Sequence, residues 1–168
     1  IEVVAVLNGG PAYLAVPGQL LDQEVVGQRW EKFVQAAAEH FGDTVNIWEI
    51  GSNLNSSRGI SPFLSPLDPD RLLNPDPVFY TRLLHSANKI IKAVDASDQV
   101  WMGSLTGLAA NECLLSPLTF LLEVNAAGGW KYADAIPYTP RQGGATPEIT
   151  PAGIENTSCA SALMTTPV

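Results

Sequence analysis

The sequence predicts an α/β protein with a parallel sheet, because four short strand-like segments alternate with amphipathic helical stripes. The strand segments lie at residues 1–7, 44–50, 99–105 and 133–136. Alternation of strands and helices implies right-handed crossovers that join parallel neighbours. We therefore expect four parallel strands in chain order, with the helices on the outer face of the sheet.

The strand segments differ in pattern. Residues 1–7 (IEVVAVL) form a nearly continuous apolar run that ends at the turn sequence Asn-Gly-Gly-Pro, which predicts a strand buried on both faces. The second segment, TVNIWEI, ends at Gly51-Ser52-Asn53, and the third reads QVWMGSL. Trp48 and Trp101 lie inside these segments, so we expect both in the core.

Three helices are indicated, the first two by apolar residues at i, i+3 and i+4 spacing and the third by its cap. The first carries such a stripe over residues 26–41 and meets Gly42, a natural stop. Asp76-Pro77 and Ser116-Pro117 are the cap and first residue of the other two. Residues 55–77, which follow the second strand segment and lead into the second helix, are rich in Ser, Pro and Asp, which predicts a long functional loop.

Composition limits the function. The 168 residues predict one domain, and the net charge of −8 disfavours nucleic acid and anionic membrane surfaces as partners. His40 and His85 lack companions at metal-ligand spacing, so we expect no metal, and no motif predicts a cofactor. Cys113 and Cys159 are equally compatible with a disulfide and with two free thiols.

A family resemblance rests on several segments in the right order. Residues 47–55 read IWEIGSNLN, where retaining (β/α)8-barrel glycoside hydrolases have a fourth-strand pattern like YWEIWNEPN. Residues 28–43 resemble the helix before that strand, and residues 121–138 resemble the fifth helix and sixth strand. The chain thus resembles the clan that includes β-xylosidases, α-iduronidases and many cellulases. The resemblance implies a partial TIM-barrel-like domain over residues 1–140, holding the third to sixth strands, and an irregular C-terminal segment over 141–168.

Two departures from the family pattern bear on activity. Asn53 stands where the family has its acid/base Glu, and an amide can neither protonate a leaving oxygen nor activate water. The chain is also shorter than the ~250 residues of a typical complete barrel. No strand that could carry the family's nucleophile is evident, since Glu148 and Glu155 have the setting of solvated loop charges.

The resemblance implies a glycoside-hydrolase-like domain that is catalytically impaired, a pseudoenzyme that binds carbohydrate. The expected ligand-binding residues follow the ends of the strands: Tyr13, Ser52, Asn53, Asn55 and Tyr138. Glu49 is expected to be a structural carboxylate. Two alternatives stay open: an active hydrolase completed by sequence or a chain not present here, and a non-catalytic scaffold. The open barrel predicts a homo-oligomer or a partner domain, and an extracellular or cell-surface location is favoured.

Overall fold

The computed structural model describes residues 2–68, 73–106 and 115–139, and in this part of the chain it shows an α/β fold. Its main sheet contains β1 (Val4–Leu7), β2 (Ile47–Ile50) and β3 (Gln99–Met102), in that order and all parallel. The predicted strand order and direction are therefore confirmed for these three strands. Each observed strand is shorter than its sequence segment.

A fourth segment runs parallel beyond β3, as expected, but it forms less regular structure than a full strand. Ala135 makes an isolated parallel bridge with Trp101. Further along, β4 (Leu105–Thr106) pairs in parallel with β5 (Tyr138–Thr139). The pairing is thus divided between two short contacts, and the structure does not establish a barrel.

Four helices lie in the described residues: α1 (Gln23–Phe41), α2 (Ser57–Leu64), α3 (Pro77–Val94) and α4 (Pro117–Ala126). The predicted caps are confirmed, because the Asp76 carboxylate accepts the Phe79 N–H and the Ser116 hydroxyl accepts the Thr119 N–H. Helix α1 packs along α3, and the Trp30 indole donates to the Leu83 carbonyl at 3.0 Å.

Helix α2 corrects the sequence prediction of a long loop over residues 55–77. Its apolar residues Ile60, Phe63 and Leu64 are buried, at the i, i+3 and i+4 spacing of a helix face. The prediction failed because the segment is rich in Ser and contains Pro62, which marks loops in most sequences. Two turns are enough here because the core covers the apolar side.

The helices of the described residues cover one face of the sheet and leave the face of Val4 and Val6, the open face, exposed at β1. The prediction that the first strand is buried on both faces is therefore wrong. Along β1, Leu7 is buried whereas Val4 and Val6 are 41% and 51% exposed. Trp101 is also only half-buried, in contrast to Trp48, which is completely buried as predicted. The core lies between the covered face and the helices, with these strand residues at its centre: Leu7, Trp48, Ile50, Val100 and Met102.

Two further expectations differ from the structure or lie outside it. Phe33 and Phe41, counted in the buried stripe of α1, are 45% and 49% exposed. Both cysteines and the segment 141–168 lie outside the described residues. No helix in the described ranges combines the length and the apolarity that crossing a membrane requires.

Candidate functional site

The carboxyl ends of the three strands meet through a small network of polar contacts. The Gly51 N–H donates to the Leu7 carbonyl at 2.8 Å, which ties the end of β2 to the end of β1. The Leu54 N–H donates to the Ser104 carbonyl at 3.1 Å and joins the loop after β2 to the loop after β3. In a parallel sheet this edge collects the loops that carry ligand-binding groups. We call it the carboxyl edge.

Three polar side chains line the carboxyl edge, those of Asn8, Ser52 and Ser104. The Asn8 amide lies 3.5 Å from the Ser52 hydroxyl, and the Ser104 hydroxyl lies 3.5 Å from the Asn53 backbone nitrogen. Amides and hydroxyls both donate and accept hydrogen bonds, but they do not titrate near neutral pH. This arrangement can recognise other hydroxyl groups, and it supplies no proton at neutral pH.

Asn53 has a backbone conformation that limits which residues suit the position. Its φ is +51°, the only positive φ of a non-glycine residue in the described chain. Asn enters this left-handed region more readily than most residues. The Asn53 carbonyl accepts the Ser56 hydroxyl at 2.8 Å and the Ser56 N–H at 2.9 Å, which holds the turn. Local geometry therefore favours Asn53 independently of any role in catalysis.

Two glycines allow the strand ends and loops to come close together. A Cβ built on Gly103 would lie 2.4 Å from the Ile50 carbonyl oxygen, and one built on Gly59 would lie 2.3 Å from the Asn53 carbonyl oxygen. Neither distance is compatible with a side chain. Glycine at these positions fixes how near the loop after β3 and the start of α2 approach the turn at Asn53.

Tyr80, in α3, stabilises the carboxyl edge. Its hydroxyl donates to the Ile50 carbonyl at 3.1 Å and accepts the Gly103 N–H at 3.0 Å, so that one buried group connects the ends of β2 and β3. Burial raises the pKa of the Tyr80 hydroxyl far above its ordinary value. The phenol therefore stays protonated and acts as a fixed hydrogen-bond bridge.

Asn55 is placed differently from the other predicted site residues, because its side chain is turned inward. It is 1% exposed, and its amide donates to the Thr106 and Leu115 carbonyls at 2.9 Å each. Its side-chain oxygen accepts the Thr106 N–H, also at 2.9 Å. All these partners belong to the protein, so in this structure Asn55 joins the loop after β2 to β4.

Glu49 lies on the open face of the sheet, in register with Val6 and Trp101. Its carboxylate accepts the Ser104 N–H at 2.8 Å and so helps to position the loop after β3. This contact agrees with the expected structural carboxylate, held by a hydrogen-bond donor. By accepting this backbone N–H, Glu49 helps to hold the carboxyl edge in place.

Tyr13 lies next to the carboxyl edge, in a 3₁₀ turn (Ala12–Leu14) that follows β1. It is 72% exposed, and the Arg29 guanidinium carbon lies 5.9 Å from its ring centroid. A hollow of about 410 Å³ opens between this turn and α1, with Asn8 in its wall. Asn8 therefore belongs both to the hollow and to the polar contacts at the carboxyl edge.

The sequence predictions and the structure overlap only in part at this site. Ser52 and Asn53 come together at the carboxyl edge, and Tyr13 lies close by. Tyr138 is in β5 by its backbone, but its side chain lies outside the described residues. Sequence reasoning missed Asn8 and Ser104, because each sits where an Asn-Gly or Gly-Ser pair was taken only as the end of a strand.

No group of three or more His, Cys, Asp or Glu side chains suited to a metal ion occurs in the described ranges. A comparison with models of known protein families gives no match, and a comparison with curated proteins finds no significantly similar sequence.

Proposed function

We propose that this chain is a glycoside-hydrolase-like domain that binds carbohydrate at the carboxyl edge without efficient hydrolysis. One observation carries the proposal: amide and hydroxyl groups from the ends of adjacent parallel strands converge next to an exposed tyrosine ring. Sugars present hydroxyl groups around an apolar ring face, and this combination of polar groups and an aromatic plane complements them. The motif IWEIGSNLN and its resemblance to a fourth barrel strand support the same conclusion.

The weak-catalysis part of the proposal rests on Asn53. It follows β2 at the carboxyl edge, the position that the resemblance gives to the acid/base Glu. General acid–base catalysis contributes about 10²–10⁴-fold, and both steps of the retaining mechanism use this group. An amide in its place removes that contribution.

Calorimetric titration with a panel of neutral oligosaccharides tests binding. We expect dissociation constants in the micromolar to millimolar range for at least one member, and a loss of most of that affinity in Ser52→Ala. The matched control is Ser97→Ala, a serine in the turn between α3 and β3 at the opposite end of the sheet. If no sugar binds at millimolar concentration, the proposal fails.

Aryl glycosides test the hydrolase alternative, because an activated leaving group needs little acid assistance. We expect no turnover by the wild-type chain, and none by Asn53→Glu on unactivated glycosides, since the variant restores an acid without a nucleophile. Clear turnover by either protein would show that a nucleophile is present and that the chain is a working hydrolase.

A scaffold role is a second candidate, favoured by the open face of the sheet. Val4 and Val6 expose about half of their surface there, and β1 has no strand on its outer side in the described residues. A second copy of the chain is the occupant we propose for this face. Light scattering at micromolar concentration should then give a dimeric mass, reduced to monomer by Val6→Lys; a monomeric wild type would contradict this role.

A further inference from the structure

The hollow beside α1 has a chemistry of its own, distinct from the neutral groups at the carboxyl edge. Arg29 and Lys32 stand one helical turn apart on its wall, in a chain whose net charge is −8. Among the described residues, neither cation forms an ion pair with an acidic side chain. The ion pair that these residues do contain joins Lys92 to Asp134, away from the hollow. The two cations therefore place positively charged groups at this wall of the hollow, without ion-pair partners in the described part of the chain.

Aromatic rings border the same space. Tyr13 and Phe33, which are 72% and 45% exposed, contribute their rings. The ring of the buried Trp30 packs against Phe33, with centroids 5.8 Å apart. The exposed rings provide an apolar surface, and the cations beside them provide a site for an anion. Asn8 adds an amide at the end nearest the carboxyl edge.

From this combination we infer that the hollow binds an anionic saccharide unit, with its carboxylate or sulfate between Arg29 and Lys32 and its ring against Tyr13 and Phe33. The inference rests on the proposed carbohydrate function and specifies its ligand class. A volume of about 410 Å³ lies within the ~300–1,000 Å³ range of small-molecule sites and accommodates one or two sugar rings. The guanidinium fork of Arg29 suits a carboxylate or sulfate oxygen pair.

The position of the hollow suits an anionic unit that belongs to a longer saccharide. Asn8 contacts Ser52 and also lines the hollow, so the two regions are adjacent along one surface. A saccharide could then place a neutral unit at the carboxyl edge and the charged unit next to α1. The charge selects among polysaccharides, whereas the carboxyl edge recognises hydroxyl groups common to all of them.

The test compares ligands that differ only in charge. Trigalacturonate and its fully methyl-esterified form are titrated against the protein, with the amide signals of Gly9 and Gly10 and the indole signal of Trp30 as NMR reporters. A sulfated trisaccharide and its desulfated form make a second arm, which separates a carboxylate from a sulfate as the anion. We expect at least one anionic form to bind about 10-fold more tightly than its neutral counterpart and to move these signals.

Variants locate the charge effect. Arg29→Gln and Lys32→Gln should each weaken binding of the anionic form about 5-fold or more and leave the neutral form unchanged. The matched control, Lys89→Gln on the exposed side of α3, removes the same charge elsewhere and should change neither. Unchanged thermal midpoints in all three variants show that folding is intact.

The outcomes distinguish the two proposals. Equal affinity for charged and neutral forms, or anion binding that Lys89→Gln reduces as much as Arg29→Gln does, overturns the inference and leaves the carbohydrate function in place. Binding of none of these saccharides overturns the inference, and if the panel of neutral oligosaccharides also fails to bind, the carbohydrate function is overturned with it.

Discussion

The two faces of the parallel sheet differ sharply although they consist of alternating residues of the same strands. Leu7, Ile50 and Met102 form one row across the sheet, and all three are buried beneath the helices. The adjacent row contains Val6, Glu49 and Trp101, in which Val6 is 51% exposed and the other two are half-buried. One residue along the chain separates the covered face from the open one.

This difference shows which face of the sheet stabilises the domain and which face is exposed. On the covered face, apolar side chains belong to one core cluster with residues of the helices, and removing them leaves cavities. On the open face, Val4 and Val6 remain in contact with water and contribute little to folding, whereas Ile47 on the same face is 4% exposed. The open face is therefore available for an interaction, whereas the covered face maintains the frame of the carboxyl edge.

The largest expected effect contrasts Ile50 with Val6. Ile50→Ala removes a completely buried side chain and should lower the free energy of unfolding by about 2–5 kcal/mol. Val6→Ala should change it by less than ~0.5 kcal/mol, since half of that side chain is exposed. Urea denaturation measures both. A large loss in Val6→Ala would show that the open face is covered in solution.

The two strand tryptophans sharpen the same comparison. The Trp48 indole donates to the buried Asp98 carboxylate at 2.8 Å, so Trp48→Phe leaves a buried acceptor unpaired and should cost about 1–3 kcal/mol. The Trp101 indole donates to the exposed Gln99 at 2.8 Å, and water can replace it in Trp101→Phe. Equal destabilisation of the two variants, measured by thermal unfolding, would contradict the assignment of the faces.

Variants of Asn53 test how the turn at the carboxyl edge is stabilised. Because its φ is +51°, Asn53→Ala should cost about 1 kcal/mol, whereas Asn53→Gly should be close to neutral. Chemical denaturation of the pair separates backbone conformation from side-chain contacts. If both variants lose the same stability, the Asn53 side chain and not its backbone conformation is responsible.

The smallest effect concerns the segment beyond β3. Burial alone would raise the pKa of the Asp134 carboxyl, but the Val100 N–H at 2.8 Å and the Lys92 ammonium at 3.0 Å hold that pKa below its usual value. A lowered native pKa adds stability above the unfolded value of about 4, and this stability is lost as pH falls through the native pKa.

Asp134→Asn should therefore reduce stability at pH 7 by at most ~1 kcal/mol, because solvent screens this partly exposed pair. The difference from wild type should shrink as the pH falls below about 4. A difference that stays constant from pH 7 to pH 3 would show that the charge of Asp134 is not responsible.

The comparison of faces also explains what the sequence could predict. Strand order, the caps at Asp76 and Ser116, and the helices α1 and α3 follow from local pattern, and the structure confirms them except for the exposed Phe33 and Phe41. The exposure of Val6 does not follow from local pattern, because a run such as VVAVL has the same composition whether one face of the sheet or both faces are covered.

The candidate site was predictable to a similar extent. Ser52 and Asn53 follow a strand, and their position at the carboxyl edge follows from parallel topology. The inward orientation of Asn55 depends on Thr106 and Leu115, which are 51 and 60 residues away, so no local signal reveals it. The hollow beside Tyr13 likewise needs α1 to approach the turn after β1.

Mapping a bound sugar onto the structure tests the central claim most directly. With the neutral oligosaccharide that binds best in the titration panel, the account predicts that amide NMR signals of Asn8, Ser52, Asn53 and Ser104 shift. Signals of residues 43–46, at the opposite end of β2, should stay in place. Shifts confined to that opposite end, or no shifts at millimolar sugar, would contradict carbohydrate binding at the carboxyl edge.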